Sequence, residues 1–508
     1  MMDSGAYDYV IVGGGTAGCI VASRLAENPD ITVCLIEAGS DQSNNPDILE
    51  FSNWINLIGS RFDWNYDIEP QVQGPAKMRA SRARLLGGCS SHNAVIALKT
   101  PDVDLRRWER AHGARGWGPE GTRDAFARAM RAVNVHEAGP YNPNAQAWVD
   151  ACVEAGYPLR TCNAEDIVTG SGWLPMNRRG AHRVSTAMAY LRRRPDNLTV
   201  RTETFVRRIL IDDNGAAVGV ETDRGEAHAG IEVIVSAGVF NSPKLLMLSG
   251  IGPAAHLREV GLDVKVDLPA VGGHISDHVE TILVYASPQP VRATYVQSCE
   301  AAAWVKTAPA LSHYDVFVHH VSDGYWVDGT DLGLPPFEAV AHAWTMTPYL
   351  ARPHSKGTVR LRSADPAAPP VIDPRYFMDP QDADITALVG GIRICRDIAR
   401  QPALAPWVTH EVLPGPALQG DAELAAYARK TANSEYHWAG GCRIGDAADE
   451  GAVVGPDLRV RGVERLRVAD ASILPDQPGV NPALTVMMIG EKCADLVRQA
   501  TSPAVARR

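Results

Sequence analysis

The stretch YDYVIVGGGTAGCIVASRLAE, Tyr7 to Glu27, limits the fold more than any other part of the chain. An apolar strand runs into a glycine turn and then into a helix-forming run of Ala, Ser, Arg and Leu. Gly13, Gly15 and Gly18 hold the GxGxxG spacing of a dinucleotide site. The first glycine permits the turn, the second lets the backbone approach a pyrophosphate, and the third lets helix and strand pack closely. Thr16 and Ala17 open a helix whose N-terminus offers amides and a positive dipole to the phosphates. A second apolar strand, ITVCLIEAGS, ends in Glu37, nineteen residues beyond Gly18, where a carboxylate accepts hydrogen bonds from an adenosine ribose. An acid there repels a 2′-phosphate, which leaves FAD and NAD as candidates and removes NADP.

A chain of 508 residues with 45% hydrophobic content exceeds what one compact core needs, so two closely packed domains are expected. A net charge of −10 argues against a nucleic-acid partner and for a small one. The nine cysteines, at 19, 34, 89, 152, 162, 299, 395, 442 and 493, show no CxxC pairing or histidine spacing that reads as a metal site, and are expected reduced and mostly buried. The N-terminus enters a strand without the charged and apolar regions of a secretion signal, and no run reaches membrane length. The expectation is a cytoplasmic protein with no membrane partner.

Three further stretches decide the cofactor. They are SRARLLGGCSSHNAVIALK (Ser81 to Lys99), VSAGVFNSPKLLMLSGIGP (Val235 to Pro253), and the C-terminal pair YHWAGGCRIG and LRVADASILPDQPGVNPALTVMMIGEKCADLV. With these in this order, the chain resembles the glucose-methanol-choline (GMC) flavin oxidoreductase family over nearly its whole length, and within it the choline-oxidising branch. The resemblance implies an α/β fold, in which a Rossmann-like FAD-binding domain is interleaved with an α+β substrate domain on an antiparallel sheet. The FAD-binding parts are expected at 1–150, 196–284 and 440–508, and the substrate parts at 151–195 and 285–439.

The same resemblance implies the site residues. Gly87, Gly88, Asn93, Ala94 and Val95 lie against the flavin, and His92, directly before Asn93, stands where some relatives bond the flavin covalently through its 8-methyl carbon. A histidyl-FAD link is therefore expected, with a raised flavin potential. Trp64 in DWNY, Val206 in TETFVRRILID, and Asp470 with Ala471 in VADAS match cofactor-contacting stretches, and Pro482 turns the chain into the last helix. His437 matches the family's catalytic histidine and Asn481 its partner. An imidazole titrating near neutrality accepts a hydroxyl proton while hydride leaves carbon for flavin N5.

For the substrate, an extended Asn433–His437 segment places Glu435 on the same side as His437, where it steadies a cationic or polyhydroxylated substrate or stands as a solvated loop carboxylate. YDVFVHHV, EAVAHAWTMTPY and GTVRLRS read as strands of the substrate sheet. Trp54, His319, His342, Trp344 and Arg352 are expected to reach the cavity from there. Arg352 as a cation in the pocket disfavours choline and points to another alcohol. The expected reaction converts an alcohol to an aldehyde or ketone, with O2 reduced to H2O2. A sugar or glycoside oxidase, a quinone-linked dehydrogenase and a redox-silent hydroxynitrile-lyase-like flavoprotein stay open, as does a homodimer. The final TSPAVARR reads as a disordered tail.

Overall fold

The computed structural model describes residues 5–505 apart from 138, 140–141, 164–165, 292–297 and 325–339, and no side chains of 502–505. Its first sheet runs, in spatial order, Val206–Ile211, Ala217–Thr222, Gly225–Val235, Gly5–Val12, Val33–Ile36 and Leu198–Arg201, with Leu466–Val468 beside Gly225–Val235. The three pairings that bring Gly225–Val235, Gly5–Val12, Val33–Ile36 and Leu198–Arg201 together are parallel, in the register Val10↔Val233 and Val10↔Cys34. Val33–Ile36 and the end of Gly5–Val12 are buried throughout, as continuous apolar runs must be when helices cover both faces of a sheet.

Gly5–Val12 has Val33–Ile36 on one side and Gly225–Val235 on the other, so the strand order reverses at its carboxyl end. That reversal opens the crevice in which doubly wound sheets bind ligands. The helix Thr16–Leu25 leaves it and packs on the last helix, Ala483–Val505, with Gly490 against Ala17. The last helix continues through Val505, so the expected disordered tail is helical over the described part of TSPAVARR; Thr501 Oγ1 donates to the Val497 carbonyl within it.

The second sheet is antiparallel, in the order His410–Leu413, Leu283–Ala286, Ala343–Leu350, Val316–Val321, Ala301–Val305 and Gly170–Trp173. Val279–Glu280 joins it by pairing with Ala343–Leu350 and with Asn433–Ser434. Its period-2 alternation assigns the faces. Val316, Val318 and Met346 enter the apolar cluster beneath the helix Ala383–Ala399, while the cross-strand pair His319↔Thr347 lines a cavity on the other side. GTVRLRS lies outside this sheet. Its strand, Thr358–Arg360, pairs with Val371–Asp373, and the Val359 amide is already committed to the Gly272 carbonyl at 2.7 Å. Among the described residues, no helix is long and apolar enough to cross a membrane.

Candidate active site

A cavity of about 1440 Å³ begins at the first glycine turn and ends at the second sheet. Drug-sized pockets occupy roughly 300–1,000 Å³, so this one has room for a dinucleotide and a small substrate. The three glycines of the turn serve different ends. At Gly13, φ is +101° and a Cβ would stand 2.3 Å from the Ser236 carbonyl oxygen; at Gly18 it would stand 1.9 Å from the Gly13 oxygen. Gly15 has only that Ser236 oxygen nearby, at 3.7 Å, and borders the cavity, so its missing side chain leaves room for a ligand rather than for the protein. Gly15 also gives the helix Thr16–Leu25 no side-chain cap, which leaves first-turn amides available to a phosphate.

Glu37, 8% exposed, borders the cavity with both oxygens engaged by backbone amides, Gly14 N at 2.9 Å and Gly39 N at 2.7 Å. Burial pushes its carboxyl up to about 7 against the pull of those amides. An uncapped helix start, an empty Cβ position and a carboxyl at the end of the neighbouring strand, all on one cavity, fit the adenosine diphosphate half of FAD. Val206, Trp64, Asp470 and Ala471 border the same cavity further along. Asp470 also organises the wall, accepting from Ser242 Oγ at 2.5 Å and from the amides of Gly238 and Ser472 at 2.8 Å.

Gly88, Cys89, Ser90, His92, Asn93 and Ala94 form the wall facing the other half of the cofactor. Gly87 (φ +92°) lies behind them, and a Cβ on Gly88 would stand 2.7 Å from Gly15 Cα, so two glycine turns stack directly. Val95, expected against the flavin, does not border the cavity. It takes φ +57° and packs with Phe51 and Met176, because its amide is held at 3.1 Å by the Asn93 side chain, which turns the chain inward. The His92 ring is buried, and its Nε2 faces the Leu57 carbonyl at 3.1 Å and Asp63 at 3.7 Å. A carbonyl only accepts, so Nε2 carries the hydrogen and Nδ1 the lone pair. Desolvation lowers the proton affinity of His92 more than Asp63 raises it, which keeps the ring neutral.

At the far end, a chain of rings sets the tautomer of His437. His278 Nε2 lies 2.9 Å from the Pro478 carbonyl and 3.1 Å from that of Ala351, so it must donate, and its Nδ1 is left to accept. His437 Nδ1, 3.0 Å away, therefore carries a hydrogen and donates it to His278. His437 Nε2 then holds the lone pair and meets Asn481 Nδ2 at 3.0 Å. Asn481 and His437 both border the cavity, as does Pro482. Asp277 accepts the His437 amide at 3.1 Å and Tyr376 OH at 2.6 Å, fixing the backbone of the segment. Burial, reinforced by His278, His319 and Arg82, holds His437 well below the usual imidazole range. That shift favours the neutral ring, the form able to accept a proton.

Glu435 borders the cavity beside His437, but not through regular alternation: the strand stops at Ser434, Tyr436 takes φ +60°, and every residue from Asn433 to Trp438 reaches the cavity. Trp54 and His319 also border it. Arg352 does not. Its Nε and Nη2 bind Asp104 at 2.6 and 3.0 Å, Nη1 donates to the Tyr314 carbonyl at 2.5 Å, and the guanidinium lies 4.6 Å over the Tyr314 ring. The buried Asp104 carboxylate draws the cation away from the cavity, and with it goes the reason for disfavouring choline. Trp344, fully buried, stacks on Tyr285 at 5.0 Å and donates to the Trp407 carbonyl, so it belongs to the opposite face of the sheet. His342 lies before that strand and outside the cavity.

Sequence reasoning missed His278, Glu280 and Thr347. The signal was present in SDHVET, Ser276 to Thr281, where three ionisable side chains directly precede an apolar strand, an arrangement a surface loop does not need.

Comparison with known proteins gives a consistent picture. The family models described as GMC oxidoreductase match residues 7–280 and 353–490. The chain is 41% identical to choline oxidase of Arthrobacter globiformis, over 97% of its own length and 94% of that protein. It is 34% identical to the oxygen-dependent choline dehydrogenase of Rhizobium rhizogenes, over 96% and 95% of the two chains. Among solved structures, pyridoxine 4-oxidase from Mesorbium loti superposes with a TM-score of 0.89 at 29% identity, over 97% and 99% of the two chains.

Proposed function

The chain belongs to the GMC oxidoreductase family and is an FAD-dependent oxidoreductase acting on alcohol groups; from that premise we propose that His437 is the base that takes the alcohol's hydroxyl proton. Bound FAD supplies the two-electron acceptor that an alcohol carbon requires. The observation that carries the reading is the ring chain: with its Nδ1 hydrogen committed to His278, His437 presents only the Nε2 lone pair to the cavity. A substrate hydroxyl donates to that lone pair in place of Asn481 Nδ2. The displaced Asn481 amide then donates to the substrate oxygen as its proton leaves, stabilising the developing negative charge. His278 keeps the ring in place throughout, because two carbonyls hold it from behind.

Gly15, the first-turn amides of Thr16–Leu25, Glu37 and Val206 hold the adenine end of the cofactor, and the wall from Gly88 to Ala94 holds the ring end. We assign His92 as the attachment point for a covalent histidyl-FAD bond. Its neutral ring with Nδ1 left as the lone pair supports this, since an imidazole must be unprotonated to bond to the 8-methyl carbon; the C–H hydrogen replaced would leave as a proton, and its electron pair would pass through the flavin to O2, the proposed acceptor. O2 is the proposed acceptor, with H2O2 as product. The names of two relatives, an oxidase and an oxygen-dependent dehydrogenase, support that reading.

Anaerobic mixing of the holoprotein with choline, aliphatic, aryl and sugar alcohols tests the reaction. Bleaching of the flavin by an alcohol, followed by peroxide formation when air is admitted, is the expected result. A flavin that no alcohol bleaches refutes it. Acid precipitation tests the bond to His92: the yellow colour should stay with the pellet, and colour wholly in the supernatant refutes the linkage.

A further inference from the structure

Across the cavity from the glycine turn, two carboxyls meet. Val279–Glu280 pairs antiparallel with Asn433–Ser434, and the Glu435 amide donates to the His278 carbonyl at 3.0 Å, which sets Glu280 beside Glu435. The Glu435 carboxyl raises the proton affinity of Glu280 through its proximity, and Asn433 Nδ2 donates to Glu280 Oε1 at 3.1 Å. Glu435 Oε1 lies 3.3 Å from His319 Nδ1 and 3.4 Å from Thr347 Oγ1. All four groups border the same cavity as His437, yet Glu280 is 3% and His319 4% exposed.

Two touching carboxyls cannot both ionise, so the pair holds a proton and carries at most one negative charge, gained as pH rises above the usual carboxylate range. His319 is neutral, because desolvation outweighs the attraction of Glu280. An ionised Glu435 accepts the His319 Nδ1 hydrogen, which leaves Nε2 as a buried acceptor without a hydrogen-bond partner among the described residues. In that state the subsite is anionic and rich in acceptors. A buried charge calls for a counter-charge and a buried acceptor for a donor. A neutral polyol meets the second demand alone, and a fully methylated ammonium the first alone.

We propose that Glu280 and Glu435, with His319 and Thr347, bind a protonated primary or secondary amine, so that the alcohol oxidised is an amino alcohol whose nitrogen carries N–H donors. This rests on the alcohol-oxidising reading above. Glu435 is then the specificity-determining residue, since it touches Glu280, His319 and Thr347 at once.

The test uses holoenzyme with 2-aminoethanol, its N-methyl, N,N-dimethyl and N,N,N-trimethyl homologues, the uncharged 3,3-dimethylbutan-1-ol, and glycerol. The primary and secondary amines should exceed the trimethyl compound in kcat/KM by about tenfold or more, because a site built to receive N–H groups rejects analogues without them. Glu435→Gln, checked for retained FAD, should collapse that ratio to within about threefold, acting mainly through KM. A preference for the trimethyl compound, for the uncharged alcohol or for glycerol overturns the proposal, as does an unchanged ratio in Glu435→Gln. Binding of ethylammonium against tetramethylammonium, read from perturbation of the flavin spectrum, decides the subsite separately from turnover. Tighter ethylammonium supports it, and tighter tetramethylammonium overturns it even if alcohols are oxidised as expected.

Discussion

Replacing Arg352 separates a pocket residue from a structural clamp. In the structure its guanidinium forks onto Asp104, whose side chain is 0% exposed, and Asp104 Oδ2 also accepts the Gly479 amide at 2.9 Å. Gly479 lies between Pro478, whose carbonyl anchors His278, and Asn481, which meets His437. Arg352→Met keeps the volume but leaves a buried carboxylate without its main partner, a change that costs about 3–5 kcal/mol. Arg107 Nη2, 3.5 Å from Asp104 Oδ1, remains to compensate, which places the loss near the lower end. With an unfolding entropy of about 2 cal/mol/K per residue, a loss of about 3 kcal/mol lowers the melting temperature of a chain this long by roughly 3 °C. Because the 478–481 segment loses its anchor, kcat should also fall by about tenfold or more, the scale expected when the proposed base and its partner are misplaced by a fraction of an ångström. Thermal denaturation and steady-state kinetics of Arg352→Met, Asp104→Leu and the double variant provide the assay. The double variant should lose less than the sum of the singles, since it buries no orphaned charge. If Arg352→Met keeps its melting temperature and kcat and shows only a raised KM, the clamp is wrong and Arg352 is a substrate ligand.

His437→Ala should lower kcat by about 10²–10⁴ with FAD retained, the range of a general base; anaerobic flavin bleaching in a stopped-flow instrument measures it directly. Gly15→Ala should fold normally yet lose FAD, because its Cβ meets only the cavity, whereas Gly18→Ala should fold poorly, because its Cβ collides with the Gly13 carbonyl. Melting temperature and flavin-to-protein ratio distinguish the two. Burial raises the proton affinity of both Glu280 and Glu435 above the ordinary 4.5, in surroundings that include Asp277, His319, Thr347, Asn433 and Tyr436. The pair is therefore uncharged at low pH and gains its negative charge as pH rises above the usual carboxylate range. A cationic substrate, still protonated there, should bind better as pH rises, so its kcat/KM should climb while that of an uncharged alcohol lacks this limb; parallel profiles for the two contradict the assignment.

The cofactor half of this protein was legible in the residue order because its demands are local. Gly13 and Gly18 admit no Cβ, and Gly15 stands where a ligand must approach; Glu37 follows at the end of the next strand, where parallel register delivers it. His437, Asn481 and His92 were equally visible, each embedded in a short run. The substrate half was legible only in part: Trp54, His319 and Glu435 were expected at the cavity and border it, but Glu280 was not. Glu280, His319 and Glu435 come from distant points of the chain and meet only because Val279–Glu280 pairs with Asn433–Ser434 and Val316–Val321 pairs with Ala343–Leu350. Arg352 misled for the same reason, since nothing near it in sequence announces Asp104. Turns and helix starts are set by steric rules acting over a few residues. Which buried carboxylate finds which cation, and which proton sits on His437, depends on desolvation and on partners that long-range packing alone assembles.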